Sequence, residues 1–321
     1  MQKRKSNDFL IIIRPFFYKK AKKIPEYGFY LLTPIFFYFP MTLIPAFQKD
    51  EALLRDIQSQ TNITDGFRVW WLGQSGFLIQ WKGRHLLFDP YLSDSLSLKY
   101  AQTDKPHVRM SERVIDPSLL KSIDVVTSSH NHTDHLDADT LLPLLAVNPT
   151  IQMIIPEANR AFVCARLQCA PEFPIGLNDS HHVEVGGFKI YGVPAAHNAL
   201  ERDDRGQYKF MGFVAEFGNY RVYHSGDTLW YDGIVEILKP FGVDVAFLPI
   251  NGNKPERRVA GNLNAEEAAR LGKEIGAKLV IPHHYDLFEF NTENPTLFEN
   301  YAKQYETPYR VLGIGEGIHV E

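Results

Sequence analysis

Cysteine is nearly missing: 321 residues contain two, Cys164 and Cys169. That excludes a disulfide framework and a four-thiolate zinc site, since both need more thiols. The pair reads as reduced and buried on one helix. There is no low-complexity run and no repeat at a fixed short period, so fibrous and solenoid architectures are excluded. A surplus of positive charge is missing too: 34 Lys+Arg stand against 38 Asp+Glu, for a net charge of −4. No lysine follows the glycines of Gly73-Gln74-Ser75-Gly76, so that stretch reads as a hairpin turn and not as a phosphate-binding loop. A secretory leader is not expected either. The apolar run Phe9 to Ile13 is short, Arg14 interrupts it, and no small-residue cleavage site follows. With unpaired thiols, this points to the cytoplasm, with peripheral attachment at the inner membrane face left open.

What is present is unevenly spread. Residues 1–48 hold 8 Lys/Arg and 2 Asp/Glu, and 12 of the 41 aromatic residues. Against a total of −4, that +6 leaves the remainder at −10. The acidic body repels a polyanion, so nucleic acid is not expected as a partner. From Tyr27 to Phe47 no residue is charged, long enough to span a bilayer. Pro34, Pro40 and Pro45 argue against a regular helix there. Two readings of this arm, assigned to residues 1–60, stand side by side. It packs on the body or on a second subunit of a homo-oligomer, or it lies at a membrane surface with Lys19, Lys20, Lys22 and Lys23 toward anionic headgroups.

From Phe67 on, short apolar strands alternate with glycine-containing turns. Strands are predicted at 67–72, 77–81, 85–89, 123–128, 151–155, 188–193, 213–217, 221–224, 243–249 and 279–282, and helices at 139–146, 157–168, 233–238 and 265–275. Strand-rich halves with interleaved helices imply sheets covered by helices, an α/β layered domain over 61–321.

Histidine is the informative excess, with 12 in the chain. Directly after the predicted strand 123–128 comes Ser129-His130-Asn131-His132-Thr133-Asp134-His135-Leu136-Asp137. Four metal-ligating side chains fall within six positions. His130 and His132 can aim at one ion while Asp134 and His135 turn toward a neighbouring one. Imidazole nitrogen with carboxylate oxygen suits Zn²⁺ first, with Mn²⁺ and Fe²⁺ as alternatives. More donors stand at three other strand ends: His197, Asp227 after Ser225-Gly226, and the pair His283-His284. Strand ends are where distant segments converge on one rim.

The series Trp71-Leu72-Gly73, Phe88-Asp89-Pro90, His130-x-His132-x-Asp134-His135, Ala196-His197, Ser225-Gly226-Asp227-Thr228 and His284-Tyr285-x-x-Phe288 resembles the metallo-β-lactamase superfamily. Within it, the L-ascorbate-6-phosphate lactonase-like branch is the best match, from about Arg68 to the C-terminus. The resemblance implies an αββα four-layer sandwich with the site on the rim between two sheets. By its motifs, His130, His132 and His197 would hold one divalent ion, Asp134, His135 and His284 a second, and Asp227 would bridge them. Asp89 would orient a ligand, and His224 is a further candidate for that role. Coordination lowers the pKa of water from 15.7 to about 7, so a bridging hydroxide becomes the nucleophile, and Asp134 is the expected proton acceptor. Lactone, ester, amide and phosphodiester bonds all suit this machinery. Asn251, Arg257 and Asn262, in a donor-rich loop, are candidate contacts for a small, anionic substrate.

Three alternatives remain at this level. The His130 to Asp137 run is also similar to N-acyl-phosphatidylethanolamine phospholipase D, which would put the aromatic arm at a membrane. Some members of the superfamily process RNA, a use the acidic body disfavours. The third is a metal-binding scaffold or sensor without catalysis. His85, His107, His181, His182 and His319 match no motif and read as surface or satisfied core residues.

Overall fold

Alternating and continuous apolar runs set up the strands, in a computed structural model that describes residues 42–59 and 65–321. Phe67–Gly73 (β1) and Gly76–Trp81 (β2) form an antiparallel hairpin around the Gly73 to Gly76 turn. Arg84–Phe88 (β3) continues the meander, then Val125–Thr127 (β4), Gln152–Pro156 (β5) and Pro174–Leu177 (β6) join in parallel. The second sheet holds His182–Val185 (β7), Phe188–Pro194 (β8), Met211–Phe217 (β9), Tyr220–His224 (β10), Val245–Pro249 (β11) and Leu279–His283 (β12). Gly317–Val320 (β13) returns to pair with β1, giving orders β13-β1-β2-β3-β4-β5-β6 and β12-β11-β10-β9-β8-β7. β11 is buried along its whole length because both its edges pair in parallel, with β10 and β12.

The two sheets pack face to face. Phe77 of β2 stacks on Phe247 of β11 with ring centroids 3.9 Å apart, and Phe67 of β1 meets Phe217 of β9 edge-on at 5.1 Å. Ala138–Val147 (α3) and Arg160–Leu167 (α4) bury Leu141, Leu144, Val163 and Leu167. Ala265–Ile275 (α6) lies against β11 and β12, after the short Ile234–Leu238 (α5), and Pro295–Tyr305 (α7) packs on α6. A capping box starts α6: the Asn264 side chain accepts from Glu267 N and the Glu267 carboxylate accepts from Asn264 N. Gly276 stops it in the left-handed conformation. The result is the expected αββα sandwich.

Several elements escape the sequence pattern. β6 contains Pro174 and Gly176, and β7 and β13 are short edge strands with too few buried positions to show a period. Asp50–Ser59 (α1) and Ser95–Tyr100 (α2) are short as well, with two and one buried residues. The strand expected at 123–128 shrinks to β4 because the Asp124 carboxylate accepts from His85 N at 2.8 Å and from Arg84. The helix expected at 157–168 splits into a 3-10 turn and α4, which Gln168 ends at φ 52°. Cys164 sits on α4 and Cys169 just beyond it, both half-buried.

Residues 1–41 of the arm lie outside the described residues. The packed unit runs from Leu43. α1 buries Leu53 and Ile57, and Asp56 accepts from Trp70 Nε1 at 2.8 Å, so α1 packs on the body. Among the described residues no helix is long and apolar enough to cross a membrane.

Candidate metal centre

Every candidate ligand leaves a strand end on one rim. β4 runs into Ser128 and Ser129, and the turn after it presents His130, His132, Asp134 and His135. β8 leads to His197, β10 to Asp227 and β12 to His284. Gly226 is required where β10 turns: at φ 58°, any Cβ there would lie 2.6 Å from the Ser129 Cβ and 2.9 Å from the Met211 carbonyl. This contact lets Asp227 approach the His130 turn. His284 itself adopts φ 66°, which separates it from its neighbour. His283 faces inward, with Nδ1 3.2 Å from Ser75 Oγ, while His284 faces the rim.

The seven side chains converge. His130, His132 and His197 offer ligand atoms within 4.8 Å of one another, as do His130, His135 and Asp227, and Asp134, His135 and His284. Asp227 Oδ1 lies 3.3 Å from both His135 Nε2 and His284 Nε2, while its Oδ2 lies 3.5 Å from His197 Nε2. His197 Nε2 and His132 Nδ1 stand 3.1 Å apart. Asp134 Oδ2 is 3.8 Å from His135 Nε2 and 3.7 Å from His284 Nε2.

The outer partners fix which nitrogens face inward. Asp89, fully buried, accepts from His135 Nδ1 at 2.8 Å and from Ser129 N and Thr127 Oγ1. His197 Nδ1 donates to the Gly261 carbonyl at 2.9 Å. Both rings therefore turn Nε2 into the cluster, His197 with a free lone pair and His135 with one once a cation displaces its second proton. His224 lies one layer further out: its Nε2 donates to the Ser75 carbonyl at 2.7 Å and its Nδ1 accepts from Gly226 N, so it braces the turn that carries Asp227.

His130 Nε2, His135 Nε2 and Asp227 Oδ1 are buried with no hydrogen-bond partner. Three buried polar atoms without a partner in one pocket are costly unless something satisfies them, and a divalent cation, displacing the proton of His135, does so with this N/O donor set. Burial pushes the His130 and His132 imidazoles down and His197 down to about 4, so all three are neutral at pH 7. At His135 burial opposes the charge, but Asp227 and Asp134 outweigh it and hold the pKa well above the usual histidine value. At Asp227 burial is likewise outweighed, by His284, His135 and His197, and the carboxyl lies well below the usual range.

The cluster forms the floor of a cleft of about 520 Å³. Lys99, Tyr100, Lys105, His107, Phe288 and Phe290 line one side, and Arg258, Val259 and Ala260 come from the loop expected to touch substrate. The expected contacts Asn251, Arg257 and Asn262 are not among the residues that line it. Asn262 Nδ2 donates to Asn251 Oδ1 at 3.0 Å, Asn251 Nδ2 to Asn291 Oδ1 at 2.9 Å, and the Arg257 guanidinium to the Asn251 and Thr292 carbonyls. Their polar groups hold the loop together.

Two features have no motif in the sequence. Gln74, read as a hairpin residue, is buried, and its Nε2 donates to Asp134 Oδ2 at 2.8 Å while its carbonyl accepts from His284 N at 3.2 Å. The available signal was a long amide at a turn position where Gly, Asn, Asp or Ser is usual. His107, read as surface or satisfied core, stacks on Tyr100 inside the cleft.

Residues 84–285 match the model of the Beta-lactamase superfamily domain. A "UPF0173 metal-dependent hydrolase" of Rubrobacter xylanophilus is 29% identical over 261 residues, covering 79% of this chain and 93% of that protein. One from Opitutus terrae is 30% identical over 265 residues, covering 79% and 100%. Among solved structures, Igni18, described as a metallo hydrolase from Ignicoccus hospitalis, superimposes with a TM-score of 0.59 at 22% identity over 80% of this chain and 99% of that one. That likeness concerns the fold.

Proposed function

The chain belongs to the β-lactamase superfamily and, within it, to the UPF0173 metal-dependent hydrolases, and from that premise we propose a dinuclear metal-dependent hydrolase acting on a small lactone, ester or phosphoester. One observation carries the two-ion reading: Asp227 turns Oδ1 toward His135 and His284 and Oδ2 toward His197, which is what a bridging carboxylate does. His130, His132 and His197 would hold one cation, and Asp134, His135 and His284 the other. Zn²⁺ fits the donors best, with Mn²⁺ and Fe²⁺ as alternatives. Bound divalent cations acidify water toward neutral pH and polarise the oxygen of the bond under attack.

The remaining work falls to the chain. Asp134 borders the cleft, and Gln74 fixes its Oδ2, so the carboxylate is placed to take a proton from an attacking water. Asp89 keeps His135 in the tautomer that leaves Nε2 free. A metal-binding scaffold needs neither a bridging carboxylate nor a substrate cleft, so catalysis accounts for more of the site. Metal analysis of zinc-saturated protein tests the reading: two equivalents per chain, falling to one or none in Asp227→Ala, are expected. A single equivalent in the unmodified protein refutes the dinuclear centre.

Attachment to a membrane surface through residues 1–48 is a second reading, favoured by Leu43, Ile44 and Phe47, which expose apolar side chains, Phe47 by 68%. Co-sedimentation with anionic liposomes should retain the full chain and lose a version lacking residues 1–48. Equal failure to bind removes this reading.

A further inference from the structure

One side of the cleft is a continuous aromatic surface. His107 stacks on Tyr100 with ring centroids 4.3 Å apart and 21° between planes, and it meets Phe290 at 4.6 Å and Phe288 at 5.2 Å edge-on. Two ammonium groups line the cleft with it. Lys99 Nζ lies 5.1 Å from the centre of the Tyr100 ring, and Lys105 Nζ donates to the Arg258 carbonyl at 2.5 Å. Neither has a carboxylate partner among the described residues. The other cations of the cleft are already engaged: Arg258 pairs with Asp104 at 2.6 Å, and Arg166 donates to the Asn131 and Leu136 carbonyls, each at 2.9 Å. The carboxylates of the cleft, Asp134 and Asp227, are turned to the histidines.

Unspent positive charge beside flat apolar faces selects a ligand with both properties. Resting on the hydrolase reading, we propose that the substrate is an amphiphilic anion: a flat apolar group, such as an arene, lies on the Tyr100–His107–Phe290 surface, and its carboxylate or phosphate is held by Lys99 and Lys105. A flat group gains apolar burial and ring contacts there, and the cleft's low-dielectric walls strengthen attraction to the anion beyond that of an open surface pair. Lys99 and Lys105 are then specificity-determining residues, distinct from the metal ligands.

Equilibrium binding to the zinc-loaded full chain tests this, with 2-naphthoate and its neutral counterpart 2-naphthamide as probes. Naphthoate is expected to bind about tenfold more tightly, as two partly exposed lysines allow. In Lys99→Gln/Lys105→Gln the preference should fall below about threefold, while Lys303→Gln, outside the cleft, keeps it. Tyr100→Ala should weaken both probes alike. The two single lysine variants, each with a melting curve, separate lost folding from lost recognition. Equal binding of the two probes to the unmodified protein overturns the proposal. So does a preference that survives in the double variant, because the carboxylate would then be held by the cations of the metal centre. The hydrolase reading fails separately, if the zinc-loaded protein turns over no member of an ester, lactone and phosphodiester panel whatever the probes show.

Discussion

Replacing Asp89 with asparagine should reverse a tautomer without dismantling the site. In the native arrangement Oδ1 accepts from Thr127 Oγ1 at 2.7 Å and Ser129 N at 3.1 Å, while Oδ2 accepts from His135 Nδ1 at 2.8 Å. An asparagine keeps a carbonyl at the first position and puts an NH₂ at the second. That NH₂ donates, so His135 Nδ1 must accept, and the ring's proton moves to Nε2, the atom aimed at Asp227. The ligand lone pair is lost unless the ring gives up that hydrogen bond. Loss of such an outer partner costs about 10- to 100-fold in metal affinity, or about 1.4–2.7 kcal/mol at 1.36 kcal/mol per decade. The fold should lose about 1.5–3 kcal/mol, one charge-assisted hydrogen bond, because Thr127 and Ser129 keep their acceptor. Competition with a chelator of known zinc affinity reads the first quantity, and urea unfolding of metal-free protein the second. Affinity within twofold of the native protein would refute the idea that Asp89 sets the His135 tautomer.

Further outcomes follow from the same geometry. Asp134→Asn should lower the rate of hydrolysis by about 10²–10⁴-fold with some metal still bound; undiminished turnover means the proton goes elsewhere. In the metal-free protein the raised pKa of His135 means a proton is held there at pH 7, and a cation must displace it. Zinc affinity should therefore rise by about tenfold per pH unit from 6.5 until the folded-state pKa of His135 is passed. His130 and His197 are already neutral across that window and add no slope. The same raised pKa stabilises the metal-free fold at low pH and is lost as pH climbs through it; a chelator titration that gives one affinity at pH 6.5 and 8 contradicts both statements. Asn264→Ala should cost about 1 kcal/mol of stability with unchanged metal content, since it removes the α6 cap alone.

Much of this was legible in the chain because its signals are local. The run from His130 to His135 announces a metal site through residue type and spacing within a single turn. His197, Asp227 and His284 each follow a readable strand, so their place on a rim could be expected from strand ends alone. α6 spans the predicted residues, for its apolar period is flanked by a capping box and a glycine stop. Some elements that escaped take their order from neighbours, as β13 does, which has no period of its own and exists because β1 offers an edge; α7 escaped although Asn294 caps it and Pro295 begins it.

What the sequence by itself determined was a set of candidate donors that the fold brings together, the layered α/β class and the superfamily. Only the tertiary structure decided which atoms face each other. The left-handed turn at His284 separates it from His283, and Gly226 lets two chain segments approach closer than any side chain would allow. Gln74 reaches Asp134 across 60 residues of chain. The substrate cleft was the least legible part. Asn251, Arg257 and Asn262 have the chemistry of binding residues but bond mainly within their own loop and to the 291–292 segment, whereas Lys99, Tyr100 and His107, which line the cleft, look ordinary in the chain. Whether a polar side chain serves a ligand or the fold depends on which partner sits within hydrogen-bond reach, and folding alone brings that partner near.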